Sequence, residues 1–320
     1  MSNPKVALNV AFPSDPTAVA KYLLPNKTVT GALIGVNWSS IDNGKSYNFA
    51  SVDQQIATWT KAGKVANLVI WAVSDSGSGQ YGNASTPQYI WDGLGPENYT
   101  TLDTQAGSQR IPNYFDEFYQ QRWQLFIQNL AVHCRGKVGY IRPGLGHGGE
   151  TIPGAGWQNS PAFKQWGVTV ETWMAYLNNC LEYLGEFKGI DWAVGITPMG
   201  SPSTQVPDFL AGVAASLGFQ FGSQGLELSD LTAKVTTANW LGNFAKYPNV
   251  RHELQTIAAS CPQNNCPTGS LVELVPFAVK NGCDVLELYC SDWMIAYDPA
   301  NPLYAEYGKQ YATVLESVNG

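Results

Sequence analysis

An eight-stranded α/β barrel, a (β/α)8 fold in one domain over residues 1–320, is the architecture this sequence predicts, on three observations. Apolar strand-like runs recur eight times along the chain, and segments with helical spacing separate them. Neither an internal repeat nor a linker divides the 320 residues. That length suits one such barrel, which takes roughly 250 residues plus insertions.

The runs fall at 5–12, 31–38, 65–73, 138–144, 190–197, 219–224, 250–257 and 284–290. Between the second and third, Val52, Ile56 and Trp59 recur at helical steps and Gly63 stops the segment. A second helix is predicted near 113–135 with Phe115, Phe118, Phe126 and Leu130 on one side. The clearest stripe follows the fourth run, where Trp173, Tyr176, Leu177, Cys180, Leu181, Leu184 and Phe187 are spaced by three and four, with Gly189 behind them. Alternation of this kind implies parallel strands joined by right-handed crossovers. A doubly wound open sheet is the alternative, but Phe12-Pro-Ser-Asp-Pro stands where its glycine fingerprint belongs.

The longest connection, Ser74 to Gln109, reads as one long loop without helix or strand, rising from the third strand. Loops of that length are usually binding elements or lids. Tyr81, Tyr89 and Trp91 on it are either sugar-stacking rings or residues that pin the loop to the barrel.

Composition narrows the partner. Charged residues make up only 13% of the chain against an aromatic share of 12% with 11 Trp and 16 Tyr, whereas soluble domains usually carry about 25% charge. A surface of amides, hydroxyls and rings suits a neutral polar ligand, and sugars offer flat CH faces and hydroxyls to match. The net charge of −7 and the lack of a Lys/Arg cluster speak against nucleic acid. No apolar run reaches the ~18 residues of a membrane span. Low charge and a possible small disulfide loop at Cys261-Pro-Gln-Asn-Asn-Cys266 point to an extracellular, monomeric protein whose signal peptide is missing from this sequence. Cys134, Cys180, Cys283 and Cys290 lie in apolar segments and read as buried thiols. His133, His147 and His252 have no metal-ligand spacing, and no serine elbow or phosphate loop appears, so no metal or cofactor is expected.

Chemistry points instead to carboxylates. The run Tyr140-Ile-Arg-Pro-Gly-Leu-Gly-His-Gly-Gly-Glu150 takes the fourth strand into a glycine-rich loop ending on Glu150. Glycoside hydrolysis needs two carboxyl groups around one bond, one an acid and the other a nucleophile or base. Two further acids lie inside apolar strands, Glu253 in the seventh and Glu287 in the eighth. Alternation puts Glu253 on one face with Arg251 and Gln255, and Glu287 with Val285 and Tyr289, all inward. For either acid the competing reading is a barrel-interior glutamate paired with Arg142 or Arg251.

Glutamates ending strands four and seven of an eightfold barrel resemble clan A of the retaining glycoside hydrolases, which includes the β-galactosidases. Gly35-Val-Asn-Trp38 resembles that clan's second strand, Asn281-Gly-Cys-Asp-Val285 the opening of its last, and Trp293 falls near a common subsite tryptophan. Gly149 stands where the clan has asparagine, and Gly144-Leu-Gly-His-Gly-Gly-Glu150 with Pro153 and Trp157 is similar to the strand-four motif of the inverting β-amylases. The resemblance implies Glu150 as acid/base and Glu253 as nucleophile, with retention, or as base for water, with inversion. Retention is the first expectation. Asn37, Trp38, Trp71, His147, Gln224, Glu287, Tyr289, Asp292 and Trp293 are the expected substrate-binding residues near the upper rim. The rival from another class is a carbohydrate-binding barrel that does no chemistry.

Overall fold

The computed structural model describes residues 6–73, 85–104, 107–200, 204–263 and 265–319. Eight parallel strands are present: β1 (Ala7–Ala11), β2 (Gly31–Asn37), β3 (Val65–Trp71), β4 (Ile141–Arg142), β5 (Ala193–Gly195), β6 (Gln220–Leu226), β7 (His252–Thr256) and β8 (Val285–Tyr289). They pair in the order β4-β3-β2-β1-β8-β7-β6-β5, and a parallel bridge from Ile141 to Trp192 closes the ring. Each of the eight apolar runs therefore became a strand of a (β/α)8 barrel.

Seven of the strands are shorter than the runs that announced them, β4 keeping only two residues, while β6 extends to Leu226. Pro143 follows Arg142 and has no N–H to donate, so the ladder stops there. Helices between strands bury the stripes their spacing predicted. Val170–Leu184 starts on a capping box in which Thr169 and Thr172 satisfy each other's backbone, and it buries Trp173, Tyr176, Leu177, Cys180, Leu181 and Leu184. Fully burying an apolar side chain of this kind is worth about 1.5–3 kcal/mol before chain entropy opposes it. Ala50–Thr60 buries Val52, Ile56 and Trp59.

Two expectations are corrected. The second helix begins later, at Glu117, because the Asp116 side chain caps it by accepting from the Tyr119 N–H at 3.0 Å. Its buried face is Tyr119, Trp123, Phe126, Ile127, Leu130, Ala131 and Cys134, so Phe115 lies outside the helix. The connection after β3 is not structureless either. It contains a helix, Gln88–Gly93, and an antiparallel hairpin of Tyr99–Thr104 with Gly107–Pro112. Short polar strands such as Tyr-Thr-Thr-Leu-Asp-Thr carry little apolar periodicity, which hides them. Residues 74–84, including Tyr81, lie outside the described residues.

Alternation along β7 and β8 holds as expected, with Leu254, Leu286 and Leu288 turned to the helices and Glu253, Gln255, Glu287 and Tyr289 turned inward. Gly222 on β6 explains how a glutamate fits there. A Cβ at that position would come within 1.8 Å of the Glu253 carbonyl oxygen and 2.3 Å of its Cγ, so only glycine admits the strand and side chain beside it. Cys261 and Cys266 form the disulfide the sequence suggested, in the loop after β7. Cys134, Cys180 and Cys283 are buried thiols and Cys290 is half-buried.

Candidate active site

The loop leaving β4 places Glu150. Gly148 and Gly149 take φ of +67° and +75°, both in the left-handed region. The Gly148 N–H donates to Val73 O at 2.6 Å and the Glu150 N–H to His147 O at 3.1 Å, folding the run back over the end of β3. A Cβ on Gly149 would stand 2.9 Å from Val69 Cγ2 and 3.1 Å from Trp71 Cδ1. Glycine in place of asparagine before the acid thus follows from backbone sign and from the tryptophan wall.

Glu150 borders a cavity of about 310 Å³ at the C-terminal end of the strands, the end where such barrels carry their chemistry. Phe12, Trp71 and Tyr289 form an aromatic wall, with ring centroids 5.4 Å apart for Phe12 and Trp71 and 5.7 Å for Phe12 and Tyr289. Phe12 holds φ at +53° to make those contacts, a backbone conformation that costs a bulky residue on the order of 1–3 kcal/mol. Opposite stand His147 and Gln224, with Arg142 and Gln255 below. Both ends of the Gln224 amide are buried without a hydrogen-bond partner among the described residues. A larger cavity of about 730 Å³ opens at the other end of the barrel between Asn67, Tyr140 and Arg251, away from Glu150.

Beneath the floor lies a buried ionic cluster. Arg142 Nε and Nη2 donate to Glu253 Oε1 at 3.2 and 3.0 Å, Nη2 donates to Glu287 Oε2 at 2.5 Å, and Nη1 donates to Gln255 Oε1 at 3.1 Å. Tyr140 donates its hydroxyl to the other oxygen of Glu287. Burial opposes the guanidinium charge, but the two carboxylates outweigh it and raise the Arg142 pKa. Burial pushes the Glu253 carboxyl up to about 7, with the Glu287 charge adding to the rise and Arg142 opposing it. Glu253 and Glu287 are fully buried and neither borders the cavity.

In that arrangement Glu253, the expected second carboxylate, lies beneath the cavity and not on its wall. It sits two residues before Gln255, so one strand repeat sets it a full layer deeper, and Arg142 lies between it and the opening. The reading of a barrel-interior glutamate paired with Arg142 describes both Glu253 and Glu287. Trp38 and Trp293 are also withdrawn from substrate. Trp38 is fully buried, donates Nε1 to Asp42 Oδ2 at 3.0 Å and stacks on Phe126. Trp293 is buried and stacks on Tyr297. Asn37 accepts from the Ser85 hydroxyl at 2.6 Å and does not border the cavity. Asp292 is buried as well, accepting from the Ser260 N–H and hydroxyl at 2.9 and 2.8 Å. On the connection after β3, Tyr89 donates to Asp42 and Trp91 packs under Arg110, so both pin the chain. Of the expected site residues, the cavity gathers Glu150, Trp71, His147, Gln224 and Tyr289.

Arg142, Gln255 and Phe12 were not expected to border it. Alternation offered a signal for Gln255, which shares Glu253's face and stands nearer the C-terminal end of β7. His147 is oriented by Gln109 from the hairpin, a contact between distant segments that no spacing announces.

Asp292 gives a pH prediction. Burial raises its carboxyl from 3.8 to about 7, with the Ser260 bonds opposing. The folded chain then keeps this proton where the unfolded chain has lost it, so the stabilisation is complete below pH about 4 and vanishes as pH rises through about 7. Unfolding free energy should fall by on the order of 1–3 kcal/mol between pH 5 and 8 from this group. Urea titrations of wild type and Asp292→Asn should show a shallower pH slope in the variant. Equal slopes would refute the assignment.

A (β/α)8 barrel with an acid-bearing cavity at the C-terminal end of its strands is the class that fold and site define. No family model and no curated protein matches the sequence. Solved structures do match in fold. The catalytic domain of a β-amylase from Paenibacillus polymyxa has a TM-score of 0.64 at 12% identity over 99% of each chain. A thermostable mutant xylanase from Cellvibrio japonicus has 0.56 at 11%, over 100% of this chain and 99% of that one. A β-galactosidase from the psychrophilic Marinomonas ef1 has 0.53 at 13%, over 89% of this chain and 54% of that one. The resemblance read from the strand order and the Glu150 loop is therefore present in the fold, to the same kinds of barrel.

Proposed function

We propose that this chain is a glycoside hydrolase acting on a neutral oligo- or polysaccharide, with Glu150 as the acid that protonates the departing oxygen. The observation that carries the reading is Glu150 at the border of an aromatic-walled cavity at the C-terminal end of the barrel strands. A sugar would bring hydroxyls that donate and accept to the polar groups of that wall, and a CH face to Trp71. The low-charge composition agrees with a neutral ligand. An extracellular location fits the same reading, since the Cys261–Cys266 disulfide belongs to an oxidising compartment.

Retention through a glycosyl–enzyme bond requires a second carboxylate at ~5–5.5 Å on the substrate's far side. Glu150 is the one carboxylate among the described wall residues, and Glu253 lies behind Arg142. Inversion needs a second carboxylate as well, as the base for water at ~6.5–9.5 Å, so neither course finds a partner for Glu150 among the described wall residues. The same observation supports a second reading, a barrel that holds saccharide without cleaving it. A panel of neutral polysaccharides separates the two when reducing-end release and calorimetric binding are measured side by side. Release of product is expected, with its anomer read by proton NMR; binding without release selects the second reading, and the absence of both release and binding overturns both.

A further inference from the structure

We infer that Arg142 is a specificity-determining positioning residue, which fixes the Gln255 amide so that the cavity floor offers hydrogen-bond donors without a net positive charge. The inference rests on the saccharide reading above and names what distinguishes its ligand: hydroxyl or ring oxygens are accepted, and a carboxylate at the same place is refused.

The geometry leads there in three steps. A guanidinium has five N–H groups, and four are engaged: the Nε one and both on Nη2 by the glutamates below, and one on Nη1 by Gln255 Oε1. The remaining N–H is on Nη1, the end that reaches Gln255 at the cavity floor. Next, with its oxygen held by Arg142, Gln255 must turn its NH₂ the other way, and its Nε2 lies 3.4 Å from the Tyr289 hydroxyl. Tyr289 accepts there, which leaves its own proton for a ligand in the cavity. Two side chains that could equally accept are thus set as donors, and an arginine supplies a third.

Charge decides the ligand. A lone arginine under a floor of donors is a carboxylate or phosphate site. Here Glu287 and Glu253 flank it, and both are fully buried. With Glu287 ionised the cluster sums to −1 when Glu253 is ionised and to zero when Glu253 is protonated. In a cavity screened from water these charges repel an anion, while a hydroxyl still takes the donors.

The test compares matched sugars that differ only at C6, glucose with glucuronate, galactose with galacturonate and mannose with mannuronate, by titration calorimetry on the full chain. Wild type should bind at least one neutral member about tenfold tighter than its uronate. Glu287→Gln adds one unit of positive charge to the cluster and should shift that ratio about tenfold towards the uronate, an effect that loss of packing alone would not produce. Gln255→Met, which borders the cavity and keeps its bulk, should weaken the neutral sugar about tenfold with an unchanged melting temperature, and it carries the test if Glu287→Gln does not fold. An unchanged ratio in folded Glu287→Gln, or wild-type affinity in Gln255→Met, overturns the inference while leaving the saccharide reading intact. If wild type binds none of the six sugars, the saccharide reading falls and this inference with it.

Discussion

Glu150→Gln should lower hydrolysis of an unactivated glycoside by about 10²–10⁴-fold, the usual contribution of a positioned general acid, and leave the melting temperature unchanged. Glu150 is half-buried on a loop at the cavity rim, outside the packed barrel interior, and glutamine has its size. A glutamine keeps the shape and cannot give up a proton at this pH. The size of the loss should depend on the leaving group. A nitrophenoxide departs without help, so a nitrophenyl glycoside of the same sugar should suffer far less than the natural linkage. Comparable losses on both substrates would show Glu150 to be a binding group, and the acid would have to be sought elsewhere. Glu253→Gln on the same two substrates should lower turnover only as far as it lowers stability, because Glu253 does not reach the cavity.

That contrast between two glutamates shows where the sequence was legible and where it was not. Strand periodicity gave eight strands and their inward faces, because a parallel barrel strand is a short apolar run and its alternation is a property of the backbone. The glycines before Glu150 located the rim loop, since successive left-handed residues are what a tight fold-back needs. Depth along a strand was harder. Glu253 and Gln255 share a face, and which of them reaches the opening depends on Arg142, which comes from another strand and covers Glu253. Tryptophans were harder still. Trp38, Trp71 and Trp293 all follow or end strands, yet of the three only Trp71 borders the cavity, because it ends β3 facing inward while Trp38 opens one short helix and Trp293 lies within another, both buried away from the opening. One chain's sequence does not distinguish a ring that faces a ligand from one that faces a helix.

Arg142→Met should be the most destabilising single change in the barrel interior. It leaves Glu253 and Glu287 buried without their cation, a situation that costs about 3–5 kcal/mol, out of a total stability that for a typical domain is roughly 5–15 kcal/mol. Two features sharpen the expectation. Protonation relieves a stranded carboxylate, so the loss measured by urea unfolding should shrink as pH is lowered from 8 to 5, opposite to the behaviour of a simple packing defect. Removing the charges together should also repair most of the damage: Arg142→Met with Glu253→Gln and Glu287→Gln exchanges the ionic cluster for neutral groups of similar volume, and leaves no buried charge without its counter-ion. Tyr140 keeps an acceptor in the glutamine that replaces Glu287, whereas Gln255 loses the donor that holds its oxygen. The triple variant should therefore fold at near wild-type stability and still bind the neutral sugar poorly, separating what Arg142 does for the fold from what it does for the floor. A triple variant that is stable and binds as wild type would confine Arg142 to the first of those roles.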